Sequence, residues 1–301
     1  VFSFSLVMLW EAWQKHNNPQ APLATAPAAT ATAPVPESSA PAPVSAASVP
    51  EGNATAGSTK TEIVKVKTDL FVADVSTLGG TIVGLELNNY KASEDKSRNF
   101  SLFDAKHQYA AQSGLIGEAL PNHKTVFAAV PGSRELAADA NSVEAPAVDG
   151  VKVTKIYTFN RGSYLNNAAT EIDNGSQKEI AAHAYYQLQR DTTAPAGESR
   201  MFSTYTGPAA YTEQGKYQKI NFKDIEKGSA KFVEKSDNGW MAMVQHYFVS
   251  AWIPQEKQAR EFFVRKVESG ANPAVTAGVI VPIATVAPGA KASNVVSLYA
   301  G

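Results

Sequence analysis

The chain has 301 residues, 44% of them hydrophobic and 18% charged, with a net charge of -1 and no cysteine. This leaves enough apolar side chain for a sizeable core and argues against a nucleic-acid binder, which needs a strong basic surplus. The lack of cysteine excludes disulfide staples, thiolate metal sites and a cysteine nucleophile.

Residues 1–10 (VFSFSLVMLW) are apolar and uncharged, and Trp13 then appears beside Glu11 and Lys15. The run is too short to span a bilayer, which takes about 20 residues in a helix. Because the chain opens on Val1 without Met, the run is expected to be the end of a longer membrane helix covering 1–18. Trp10 and Trp13 would then lie at the membrane interface. No small-residue cleavage site directly follows, which counts against a signal peptide. Residues 19–60 turn to Ala, Pro, Thr and Ser with hardly a bulky apolar side chain. Such a segment cannot bury enough surface to offset its ordering entropy, so a disordered linker is expected.

From residue 61 the pattern is β. Residues 61–66 and 70–75 alternate polar and apolar, and Leu78-Gly79-Gly80 breaks the chain before a third run at 81–87. Residues 151–159 (VKVTKIYTF) form a long period-2 run, turning at Asn160-Arg161-Gly162 into 164–172. Asp173-Asn174-Gly175-Ser176 predicts another turn, into a strand over 179–190. Strands separated by short Gly/Asn turns form antiparallel hairpins, and many of them without regular helices argue for a sandwich over a parallel α/β sheet. The expected fold is all-β, an antiparallel sandwich over 61–301 with few short helices.

After Asp237-Asn238-Gly239 comes the densest aromatic stretch, 240–254 (WMAMVQHYFVSAWIP). Trp240, Met243, Val244 and Tyr247 share a 3.6-residue period, which predicts a short helix or turn over 240–246 running into a strand over 247–253. Trp240, Phe248 and Trp252 are expected to be largely buried, since aromatic side chains dominate core energetics.

The residues that carry chemistry are sparse. His16, His107, His123, His183 and His246 show no metal-ligand spacing, so no metal or other cofactor is expected. His183 is expected on a strand and His246 as a hydrogen-bonded core or rim residue. No phosphate-binding glycine loop and no G-x-S-x-G elbow occurs. A sugar-active sandwich is the alternative reading. It needs Glu171, Asp173 and His183 to converge as acid and base, with Trp240, Trp252 and Tyr217 stacking on the sugar. Against it, Asp173 reads as a turn residue and Glu171 as a solvated strand residue. Residues 207–225 mix aromatics with lysines, which suits a protein contact surface. The candidate partner-binding residues are Tyr211, Lys216, Tyr217, Lys219 and Phe222.

Gly239, Trp240, Ala242, Gln245, Tyr247, Phe248, Ala251, Trp252 and Pro254 resemble a block of the YidC/Oxa/Alb-type bacterial membrane protein insertases. Further blocks agree in order: Thr68-Asp69 with Thr77 to Gly80, Gln112 to Leu115, Tyr157 to Phe159 with Arg161 to Tyr164, and Lys216-Tyr217 with Phe222 and Ile225. Leu9 to Trp13 with Asn18-Pro19 is similar to the end of that family's first transmembrane helix. The resemblance implies a large periplasmic β-supersandwich of the galactose-mutarotase type, lying between the first and second membrane helices and without enzymatic activity. It implies the bacterial inner membrane as location, with Sec translocon subunits and nascent inner-membrane proteins as partners. Insertion itself belongs, in that family, to a groove in later helices. The present residues are therefore expected to supply a docking or chaperone-like surface.

Overall fold

The computed structural model describes residues 45, 48–51, 61–130, 141–144, 150–195, 204–267 and 273–301. The expected membrane helix at 1–18 and most of the linker lie outside these residues. No helix among the described residues is long and apolar enough to cross a membrane. In chain order the strands are β1 (Ile63–Lys67), β2 (Phe71–Ser76), β3 (Thr81–Lys91), β4 (Asn99–Phe103), β5 (Ala110–Ile116) and β6 (Ala128–Ala129). They continue as β7 (Asn141–Glu144), β8 (Val151–Thr158), β9 (Leu165–Asn174), β10 (His183–Asp191), β11 (Thr206–Thr212) and β12 (Lys216–Lys219). A short helix α1 (Phe222–Glu226) precedes β13 (Lys235–Ser236), β14 (Trp240–Gln245), β15 (Phe248–Pro254), β16 (Arg260–Val267), β17 (Ala274–Pro282) and β18 (Lys291–Ala300).

The strands form two antiparallel sheets. Sheet one runs β1-β2-β3-β5-β10-β17-β16-β13, with β4 beside β3, and sheet two runs β12-β11-β14-β15-β18-β9-β8-β7-β6. The antiparallel sandwich expected from the strand pattern is the fold observed. Its two layers meet where β14 and β15 face β10 and β17. Trp252 is fully enclosed there, 5.1 Å from the Tyr186 ring. Polar groups also bridge the sheets: Tyr186 donates to Asn294 Oδ1 (3.1 Å), and the Tyr109 and Ser250 hydroxyls lie 2.5 Å apart. Burial of the Tyr109 phenol pushes its pKa up to about 12, which keeps it protonated as a donor.

Three expectations are corrected. The helix or turn predicted over 240–246 is strand β14. A period of 2 wins because Met241 and Met243 both point into the core, while Trp240 and Ala242 take the other face. Hydrogen-bonded partners on both sides, β11 and β15, then fix the extended backbone, and the two-residue turn His246-Tyr247 closes the hairpin. His246 has φ 53° there and meets Thr204 Oγ1 at 2.6 Å, a rim position. Secondly, β9 and β10 are not a hairpin: they belong to different sheets, and 175–182 is a crossover. Asp173 is within β9, opposite Lys152 and Lys291, rather than in the turn. Thirdly, Trp240 and Phe248 are half-buried, and of the three named aromatics Trp252 alone is enclosed.

Sheet one's centre is buried on both faces, as the unbroken burial of β10 shows. Part of its outer cover comes from within the predicted linker. Val49 is 1% exposed and packs with Tyr185, Phe263 and Ile280.

Candidate functional site

The five residues expected to contact partners lie close together in the chain and mostly on one structural element. β11 and β12 form a hairpin at the edge of sheet two, with Tyr211 opposite Tyr217 and Thr212 opposite Lys216. Tyr211 also pairs across to Trp240 on β14, so all three aromatics share one face. The Tyr211 and Trp240 rings stack at 5.7 Å and 17°, and Tyr217 reaches Trp240 at 6.2 Å. Such cross-strand aromatic pairs stabilise an edge hairpin that few neighbours support.

Tyr217 remains 47% exposed, and Lys216 and Lys219 flank it on an exposed edge strand. Lys219 is held in place: its Nζ lies 5.0 Å from the Tyr205 ring centroid. The Tyr205 hydroxyl in turn lies against the Pro208 and Ile220 carbonyls and accepts from the Ile220 N–H at 2.9 Å. The short, lysine-bearing strand is a poor template for indiscriminate strand addition, so what this edge offers is its side chains. Phe222 stands apart from the aromatic ladder. It opens α1 and packs partly buried against the core.

A second aromatic feature has little signal in the sequence. At one end of the sandwich, a cavity of about 450 Å³ is lined by Tyr90, Phe100, Tyr164, Tyr247, Phe248 and Tyr299 among others. Phe248 stacks on Phe100 at 4.1 Å and meets Tyr90 edge-on at 5.3 Å. Tyr247 is 84% exposed at the tip of the β14–β15 turn. These residues come from β3, β4, β15, β18 and the connections around them. Only the sheet pairing brings them together, and the one local signal was an aromatic side chain in a two-residue turn.

The constellation required for sugar chemistry does not form. Glu171 is exposed on β9, and Asp173 is engaged by Lys291 Nζ at 2.7 Å, both on sheet two. His183 is on sheet one, its pKa lowered by burial against the opposing pull of Glu261. Trp252 is enclosed and has no surface to offer a sugar ring. A His–carboxylate pair does exist at His107 and Asp191, but the two are in direct contact at 3.3 Å. Asp191 also accepts from the Thr193 hydroxyl at 2.7 Å. That is a loop clasp, far tighter than the roughly 5–10 Å that separates an acid and a base flanking a bond. Among the described residues no group of three His, Cys, Asp or Glu side chains could hold a metal.

The chain is a two-sheet antiparallel sandwich with one aromatic group at the edge of sheet two and a second lining a cavity. Residues 63–301 match the family described as the YidC periplasmic domain, and the chain belongs to that family. It is 53% identical over its whole length to the membrane protein insertase YidC of Dechloromonas aromatica, covering 55% of that protein. It is 51% identical to the insertase of Aromatoleum aromaticum, covering 56% of it. The chain thus spans about half the length of these relatives. Among solved structures, a galactose mutarotase related enzyme from Lactobacillus acidophilus is similar at TM-score 0.49 and 7% identity, over 80% of this chain and 97% of that one. A galactose mutarotase-like protein from Lactobacillus casei is similar at TM-score 0.46 and 9% identity, over 80% and 100%.

Proposed function

We propose that this chain is the periplasmic portion of an inner-membrane protein insertase and that it acts by contact, without catalysis. The match of this whole chain to about half the length of known insertases carries the reading. The aromatic edge of Tyr211, Tyr217 and Trp240, flanked by Lys216 and Lys219, is the docking surface. An exposed tyrosine on a rigid hairpin, beside lysines that favour an acidic or polar rim, has the make-up of an interface hot spot. The partners are Sec translocon subunits and nascent inner-membrane proteins.

The test uses the full-length insertase in cells, with a photo-crosslinking side chain at Lys216. Capture of a translocon subunit is expected, and Tyr217→Ala is expected to reduce it about tenfold, the effect of losing a hot spot worth ~1.4 kcal/mol. Tyr217 is half-exposed on an edge strand, so the domain folds without it. Unchanged capture in that variant would show that the edge is only a spacer, and no capture at all would remove the translocon as partner.

A further inference from the structure

Ser48 to Glu51 is seated on the outer face of sheet one, well away from β1, where the sandwich begins. Val49 fills a depression floored by Tyr185 of β10, Ile280 of β17 and Phe263 of β16, with Ile116 of β5 beside it. Tyr185 and Ile280 are cross-strand partners, and Phe263 is opposite Gly278. A side chain at Gly278 would come within 2.6 Å of the Phe263 ring, so the glycine lets that ring lie over β17 and form the floor.

Arg265, also on β16, closes the seat over the segment's main chain. Its Nη1 donates to the Val49 carbonyl at 2.8 Å and its Nη2 to the Pro50 carbonyl at 2.9 Å. Nε reaches Thr276 Oγ1 at 3.3 Å, which orients the guanidinium. The Glu51 carboxylate, 3.9 Å away and 78% exposed, adds little to this. Pro50 has no N–H to satisfy and a fixed φ, so it crosses the sheet without leaving an unpaired donor. The seat therefore reads one aliphatic side chain and two successive carbonyls.

We propose that this face is a built-in docking site for the chain's own Ser48–Glu51 segment, a clip that anchors the segment across β10, β17 and β16. Ser48–Glu51 precedes β1, at one edge of sheet one, yet it is held over β10, β17 and β16, several strands away in the sheet order.

The absence of cysteine makes the test direct: Ser48→Cys carries a nitroxide label, read by electron paramagnetic resonance on the whole chain in solution. An immobilised spectrum is expected, and Val49→Asp in the same background is expected to abolish the immobilised component. Val49 lies outside the strands, so this variant keeps the fold. Arg265→Ala, checked for native circular dichroism, is expected to lose most of the immobilised component as well. A freely tumbling label in the parent, or immobilisation that survives Val49→Asp, overturns the proposal. Survival in Arg265→Ala alone overturns the role assigned to the arginine.

Discussion

Changing Gly239 to Ala is expected to destabilise the folded chain by more than about 4 kcal/mol, a loss reserved for a few mechanisms in single substitutions. Gly239 has φ 92°, a conformation that costs an L residue about 1–2 kcal/mol. The larger effect is steric: a Cβ there would lie 1.8 Å from the Tyr211 carbonyl oxygen. That oxygen belongs to the backbone of β11 and cannot rotate away, so the first rung of the β11–β14 ladder, Tyr211 against Trp240, must open. The Gly239 carbonyl also accepts from Arg260 Nη1 at 2.7 Å, and moving it disturbs a guanidinium already bound to the carbonyls of Asp237, Pro254 and Gln255. Gly289 is the control. It has φ 74° with nothing within 4 Å of an added Cβ, so Gly289→Ala is expected to cost only the conformational ~1–2 kcal/mol. Urea unfolding of both variants measures the difference. Costs that agree within about 1 kcal/mol would mean that the close approach to Tyr211 carries no weight. Since Gly239 positions Trp240 in the aromatic edge, the same variant is expected to lose partner capture.

Alternation made the half-buried strands legible: β8 and β9 appear where the period-2 runs stand, because each has one face on the core and one outward. Where both faces are covered the rule fails. β10 is buried throughout, and its sheet assignment depends on pairing with β5 and β17, distant in sequence. In β14, Trp240, Met243 and Val244 fit a helical spacing as well as a strand, and only tertiary partners decide between the two. The aromatic edge was half legible. Tyr211, Lys216, Tyr217 and Lys219 are local to one hairpin, while the stacking of Trp240 on Tyr211 is set by strand register. Composition made 48–51 look like linker, because one valine in a Pro/Ala-rich stretch carries no signal until its seat is formed by β10, β16 and β17. Lys155 did carry a signal. In 151–159 it falls in phase with Val153, Tyr157 and Phe159, the inward phase.

Lys155 is the source of the second large effect, a rise in stability between pH 7 and 9. It is 2% exposed, and its Nζ donates to the Gly79 and Ser113 carbonyls at 2.6 Å each, tying sheet two to sheet one. The Phe127 ring lies 5.0 Å away. Burial lowers its pKa from 10.5 to about 7. Between those values the unfolded chain holds a proton that the folded chain has released, so stability increases with pH across that window. Over two pH units the gain is on the order of 2 kcal/mol. The window is clean on both sides. His183, with its pKa lowered below 6.5, completes its own titration at lower pH. Tyr109 and Tyr157, both raised to about 12, oppose the trend only above pH 10, where unfolded tyrosines ionise. Lys155→Met removes both the donors and the titrating group. Each orphaned carbonyl costs about 1–3 kcal/mol, and near pH 7 this is offset by relief from burying an ammonium. As pH rises the relief disappears while the orphaned carbonyls remain, so the variant falls progressively behind the parent. Denaturant unfolding at pH 7, 8 and 9 checks this: the parent curve is expected to rise while that of Lys155→Met stays flat. Parallel curves would show that Lys155 does not give up its proton within this range and remains a charged staple between the sheets.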